Sequence, residues 1–153
     1  YSTVKSFDIK KINVDNDAKI KVAVMPVFDK YNKVESAHKL LIRTYINSAL
    51  IKTDKFTGLD FGSIDAIIDV IAFEEKGFVS ETQRNELGKM HGAKYLLKIE
   101  VDEDSKGYII ITASIIEIST GKMIPDKTHV EISVKDALSI QNACKKIAEI
   151  MFN

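Results

Sequence analysis

The ten residues IKVAVMPVFD, at positions 20–29, constrain the fold more than any other stretch of the chain. They are apolar almost without alternation. A strand with one wet face alternates apolar and polar side chains, so a run like this one suits a strand covered on both faces. Such a strand needs helices above and below its sheet. Pro26 removes one backbone donor, so the second half of the run is expected at an edge or a bulge.

The rest of the chain supplies the covers and the neighbours. Residues 34–51 carry an amphipathic helical pattern. Val34, Ala37, His38, Leu41, Ile42, Tyr45 and Ala49 share one face, with Glu35, Lys39, Arg43 and Asn47 away from it. A short strand is expected over 56–61. Gly62 and Ser63 then read as a break and an N-cap for a helix from Ile64 to about Glu75, closed by Gly77. Ser80 and Gln83 have the spacing of a capping box for the next helix, and Gly92 suits its left-handed end. Tyr95, Leu97, Ile99 and Val101 alternate with Lys98, Glu100 and Asp102, which predicts a half-wet strand. DEDSKG reads as a hairpin loop, YIIITASIIEIS as a long strand, TGK as a tight turn and THVEISV as another strand. Asp136 to Met151 predicts a last helix with the stripe Ile140, Ala143, Cys144, Ile147, Ile150 and Met151. Residues 1–17, with Phe7 and Ile9 on one parity and Ile12 and Val14 on the other, read as an edge strand or arm. The resulting order is β-α-β-α-α-β-β-β-α. It predicts an α/β (α+β) fold with a single mixed β-sheet and flanking helices, as one domain over 1–153.

Charge and motifs narrow the function. Lysine plus arginine and aspartate plus glutamate both number 22. A duplex-binding domain usually has a basic excess that releases counterions from phosphates, so a nucleic-acid partner is not expected. MPVFDKYNK follows the first firm strand where a phosphate loop would need glycines and free amides. No metalloprotease His pair or nucleophile elbow occurs. His38 reads as a half-buried helix residue, His91 as a helix-end residue and His129 as a strand surface position. Cys144 reads as a small core residue, since a nucleophilic cysteine needs surroundings that stabilise the thiolate. Glu74 and Glu75 are adjacent on a helix and do not face each other, which makes them a poor acid–base pair. The acids of EVDEDS lack the ligand spacing of a calcium loop and read as a hairpin tip. No catalytic residue, metal or cofactor is therefore assigned. No apolar run approaches the ~20 residues of a membrane-spanning helix. The sequence opens on Tyr1, which leaves room for a signal peptide and a lipid-bearing cysteine upstream.

KVAVMPVFD, FEEKG, LGKMHGAKYLLKIEV and IIEISTGKM occur in this order. In that order and spacing the chain, over about residues 18–151, resembles the CsgG-like family. That family takes in the curli-secretion component, lipoprotein activators of penicillin-binding proteins and the N-terminal domain of TolB. The matching positions are Val22 to Phe28, Glu74, Glu75, Gly88, Gly92, Ala93, Thr120 and Gly121. The chain departs from the family pattern at DFGS, where an arginine is common, and at Lys98, where a glycine is common. It also has no room for the two long hairpins that build the secretion channel's barrel, so it is not expected to form a pore by itself. The resemblance implies an anticodon-binding-like domain without chemistry of its own. It implies a cell-envelope protein facing the periplasm, anchored to the outer membrane as a lipoprotein, whose partner is another envelope protein or a second copy of itself.

Protein-binding candidates follow from both readings. Asp29, Tyr31 and Lys33 lie in the loop after the first firm strand, and Lys98, Glu100, His129 and Glu131 lie on the polar parity of the late strands. Tyr31 has no core period to explain it, and tyrosine is favoured at binding hot spots. Two alternatives are a subunit of a ring or secretion assembly and a small-ligand-binding α/β enzyme. The enzyme would need a concave pocket with convergent titratable groups.

Overall fold

The computed structural model describes residues 2–4, 19–133 and 136–152, without the side chains of 2–4, 126–131 and 133. The arm residues Phe7, Ile9, Ile12 and Val14 lie outside the described residues. Among the described residues eleven elements follow one another: β1 Ser2–Val4, β2 Ile20–Val24, α1 Ser36–Ile51, β3 Phe56–Gly58, α2 Phe61–Ile67, α3 Val70–Lys76, α4 Glu81–His91, β4 Ala93–Glu103, β5 Tyr108–Glu117, β6 Met123–Ser133 and α5 Ala137–Phe152. The strands form one six-stranded sheet in the order β1-β6-β5-β4-β2-β3. β2 pairs in parallel with both β3 and β4, and the later strands pair antiparallel. This is the mixed α/β architecture that the sequence predicts.

β2 shows why its sequence does not alternate. Val22 and Val24 enter the core under α1 and α5, together with Ile42, Ile46, Ile140 and Ile147. Ala23 and Met25 enter a second core under α2, α3 and α4, with Ile64, Phe73 and Leu87. From Val22 onward both faces of β2 are dry, and each apolar side chain of the strand is buried. The ladder stops at Val24 and resumes as a single bridge between Phe28 and Glu100. Met25 still donates to the Leu97 carbonyl at 3.1 Å. β3 has already ended opposite Val22, so the missing donor of Pro26 falls where no strand lies beside it.

Three expectations need correction. The helix expected from Ile64 to Glu75 is two helices, because Asp69 turns its carboxylate onto the Ala72 N–H and starts a new one. Three helices therefore separate β3 from β4, one more than expected. The N-cap of α2 is Asp60, which accepts from the Ser63 N–H; Ser63 lies inside the helix. The buried stripe of α1 is Ile42, Arg43, Ile46 and Leu50. Arg43, expected on the outer side, is buried, while Ala37 is exposed.

The other punctuation is as the sequence predicts. Ser80 and Gln83 form a capping box, and Gly92 ends α4 at φ +70° while donating back to Leu87 and Gly88. A Cβ on Gly88 would come 3.1 Å from Ile118. The Gly88–Ala93 hinge is thus a packing and capping feature that passes α4 into β4.

Candidate functional site: the β2–α1 loop and the adjoining sheet face

Phe28 joins the sheet to the candidate loop. Its N–H donates to the Ile99 carbonyl at 2.8 Å, and its carbonyl accepts from Val101 at 2.9 Å. The chain then turns at Asp29. The Asp29 carboxylate accepts from the Val34 N–H at 2.7 Å and the Lys33 N–H at 3.2 Å, and the Lys39 ammonium stands 3.6 Å away. Asn32 takes a left-handed conformation, φ +50°, and donates to the Asp29 carbonyl. Asp29 is therefore buried and occupied within the loop, which excludes its carboxylate from direct contact with a partner.

Tyr31 projects from this frame and is 62% exposed. The ammonium groups of Lys30 and Lys33 each stand 5.4 Å from its ring centroid. Lys33 also reaches the β4–β5 hairpin, pairing with Asp102 at 3.3 Å and donating to the Glu103 carbonyl at 3.4 Å. The loop is fastened from below by Asp29 and from the side by Lys33, and the tyrosine stands between the two anchors.

Lys98 and Glu100 lie next to it. They pair at 3.2 Å, and the Lys98 ammonium stands 5.4 Å over the Phe28 ring. Across the sheet Glu100 opposes Thr112, and Thr112 opposes His129; Ile110 opposes Glu131. The register thus sets positions 98, 100, 129 and 131 in neighbouring rows, while the side chains of His129 and Glu131 lie outside the described residues. Asp29, Tyr31 and Lys33 come together with the hairpin, and Lys98 and Glu100 adjoin them through Phe28.

The groups with chemical potential elsewhere are built into the scaffold or stand apart. Burial pushes the Cys144 thiol up to about 12, and its sulfur lies 3.7 Å from the Ile42 carbonyl. Such a thiol stays protonated and unreactive in the folded chain. His38 is half-buried, with Nδ1 4.0 Å from Glu35, and Glu74 and Glu75 are exposed. Asp104 accepts from the backbone of Lys106 and Tyr108 and closes the hairpin. Burial first, and the Glu117 charge second, push the Tyr95 phenol above its ordinary value. Among the described residues no group of three or more His, Cys, Asp and Glu side chains could hold a metal ion. No described helix is long and apolar enough to cross a membrane.

One polar cluster escapes sequence reasoning. The Arg43 guanidinium holds Asp65 at 3.0 and 3.1 Å, donates through Nε to the Val24 carbonyl at 3.1 Å and lies 3.9 Å from the Phe61 ring centroid. It ties α1 to α2 around the end of β2. An arginine on a helix carries no local sign of an aspartate 22 residues further on.

No protein-family model matches the chain, and no curated protein matches it. Solved structures do. TolB from Acinetobacter baumannii superposes with a TM-score of 0.56 at 10% identity, over 88% of this chain and 27% of that one. This chain therefore spans about a quarter of the TolB structure. The LpoB C-terminal domain from Salmonella enterica has a TM-score of 0.56 at 12% identity, over 82% of this chain and 89% of that one. The PelC dodecamer subunit from Paraburkholderia phytofirmans has a TM-score of 0.56 at 11% identity, over 100% of both chains. At such identities the likeness is one of architecture, and the chain has a fold like those of TolB and the LpoB C-terminal domain.

Proposed function

We propose that this chain is a non-catalytic accessory domain of the bacterial cell envelope that works by binding another protein. It is read as one CsgG-like domain over residues 1–153, facing the periplasm and carried on an outer-membrane lipid anchor upstream of Tyr1. The observation that carries the binding role is the construction of the β2–α1 loop. A buried carboxylate, a left-handed asparagine and a lysine bridge to the hairpin all fix a segment whose tip is an exposed tyrosine. A pre-ordered aromatic loses little freedom on binding, which is what a hot spot needs. The fold of the TolB and LpoB structures and the CsgG-like motifs support the envelope setting.

The test uses the full-length protein in its own cells, with a photo-cross-linking residue at position 31 or, as control, at position 145 on α5. The expected result is an envelope-fraction protein that cross-links in one discrete adduct from position 31 and in none from 145. Recovery of the full-length protein in the cytosol, or the same adducts from both positions, overturns the reading.

A second reading has one observation in its favour. The PelC structure with a matching fold is a dodecamer and corresponds to this chain over its whole length. In this reading the chain is a subunit of a ring assembly with heterologous side-to-side contacts. Mass measurement in solution across a concentration series decides it: a closed higher oligomer supports the ring, and a monomer at high concentration removes it.

A further inference from the structure

Beside Phe28 a small socket opens between α3, α4 and the sheet. Its floor is Met25, Phe73, Leu96 and Ile116, and its volume is about 130 Å³. An engineered apolar cavity of about 150 Å³ holds one benzene ring, so this space accepts one aliphatic or aromatic side chain. Phe78 stands at the mouth, 67% exposed.

The charge around the socket has one sign. Arg84 and Lys98 line it, and among the described residues no carboxylate does. Lys98 is already paired with Glu100. Arg84 is different. It is half-buried, its Nε donates to the Ile118 carbonyl at 3.0 Å, and among the described residues it has no carboxylate partner. Its guanidinium is held over the β5–β6 turn at Gly121, where a Cβ would come within 2.7 Å of it. A guanidinium fixed in place and partly out of water still has its planar fork of donors to satisfy, and a carboxylate matches that fork.

From this juxtaposition we propose that the socket receives a segment of a protein partner that presents an apolar side chain next to a carboxylate. The side chain fills the space over Leu96 and Ile116, and the carboxylate bonds to Arg84. A basic segment is disfavoured, because the Arg84 guanidinium, without a carboxylate partner among the described residues, repels it. The inference rests on the protein-binding reading above and names the chemistry of its partner.

The probe is a blocked hexapeptide, Gly-Gly-Phe-Asp-Gly-Gly, with a Phe-Asn version as its control. Each is titrated into the full chain while backbone amide resonances are followed. The expected result is a set of shifts at Leu96, Ile116 and Gly121. Charge-assisted bonding makes binding of the Asp peptide about tenfold tighter than that of the Asn peptide. Arg84→Gln removes that preference. In the unmodified protein, raising salt from about 0.05 M to about 0.5 M weakens the Asp peptide alone, which tests the charge without any variant. Shifts elsewhere, no binding, equal affinities or a preference that survives both Arg84→Gln and high salt overturn the proposal. Cross-linking from position 31 is independent of this result. If cross-linking persists and the peptides fail, only the socket assignment falls; if the peptides bind and the envelope adduct is absent, only the envelope reading falls.

Discussion

The Asp29 carboxylate accepts two backbone N–H bonds and faces the Lys39 ammonium, so removing it leaves three groups without their partner. Tyr31, two residues on, makes no side-chain hydrogen bond among the described residues and is largely exposed. Their substitutions should separate stability from binding. Asp29→Ala is expected to cost about 2 kcal/mol, the size of a lost cap plus a charge-assisted bond. Tyr31→Ala is expected to stay within about 0.5 kcal/mol of the parent while abolishing the partner contact. Urea unfolding of both variants checks the first half, and a Tyr31→Ala chain as unstable as Asp29→Ala would show that the tyrosine is structural. Arg43 also depends on one carboxylate. Asp65→Ala leaves a buried guanidinium without its carboxylate, and because Asp65 is partly exposed the expected loss is about 2 kcal/mol, below that of a fully buried pair. Replacing both residues with leucine should recover most of it. The exposure of Tyr31 was legible in the sequence because an aromatic outside any apolar period stands out. The roles of Asp29 and Arg43 were not. A hydrophobicity pattern sorts charged residues outward and cannot see the backbone amides or the distant carboxylate that make their burial tolerable.

At the scale of elements, local punctuation was the most readable information in the chain. Ser80, Gln83, Gly77 and Gly92 act within three or four residues of themselves, so their spacing alone predicts the caps that form. The break between α2 and α3 was less readable, because Asp69 is one polar residue in an apolar stretch and capping competes there with helix continuation. The rotation of α1 was misread for a related reason. Val34 lies before the helix begins at Ser36, so a stripe drawn through it is offset from the true core line of Ile42, Ile46 and Leu50. The contact between α1 and β3 offers a direct test of this packing. A Cβ on Gly58 would collide with Asn47 Oδ1, a buried atom without a hydrogen-bond partner among the described residues. Gly58→Ala should therefore destabilise by about 1–3 kcal/mol, the usual cost of overpacking. Asn47→Gly removes the obstructing side chain, so the double variant should lose less than the sum of the singles. Additive losses would mean that the two elements do not press on each other at this point.

Across the whole molecule the two cores differ in extent. α1 and α5 cover the long face over β2, β4, β5 and β6, whereas the three short helices cover the other face near β2 and the start of β4. That imbalance leaves the polar rows of the β4–β5 hairpin open beside the Tyr31 loop, and Cys144 is fully buried within the larger core. The thiol can therefore report on the integrity of the fold. Burial holds it protonated up to about 12, whereas in an unfolded chain it ionises near roughly 8.5. Between these values the unfolded state binds fewer protons than the folded one, so the contribution of this group to stability is intact below about pH 8 and falls as pH rises towards 12. Folding stability measured at a series of pH values should decline less steeply over that window in Cys144→Ala than in the parent. Alkylation gives the sharper test. If α1 and α5 leave the sheet only when the whole molecule opens, labelling of Cys144 at pH 8.5 is slowed relative to unfolded chain by the full folding equilibrium, more than about a thousandfold for a domain of ordinary stability. Rates should then rise with urea along the same slope as global unfolding. Fast labelling in the absence of denaturant would place the weak point of the fold at the α1–α5 seam.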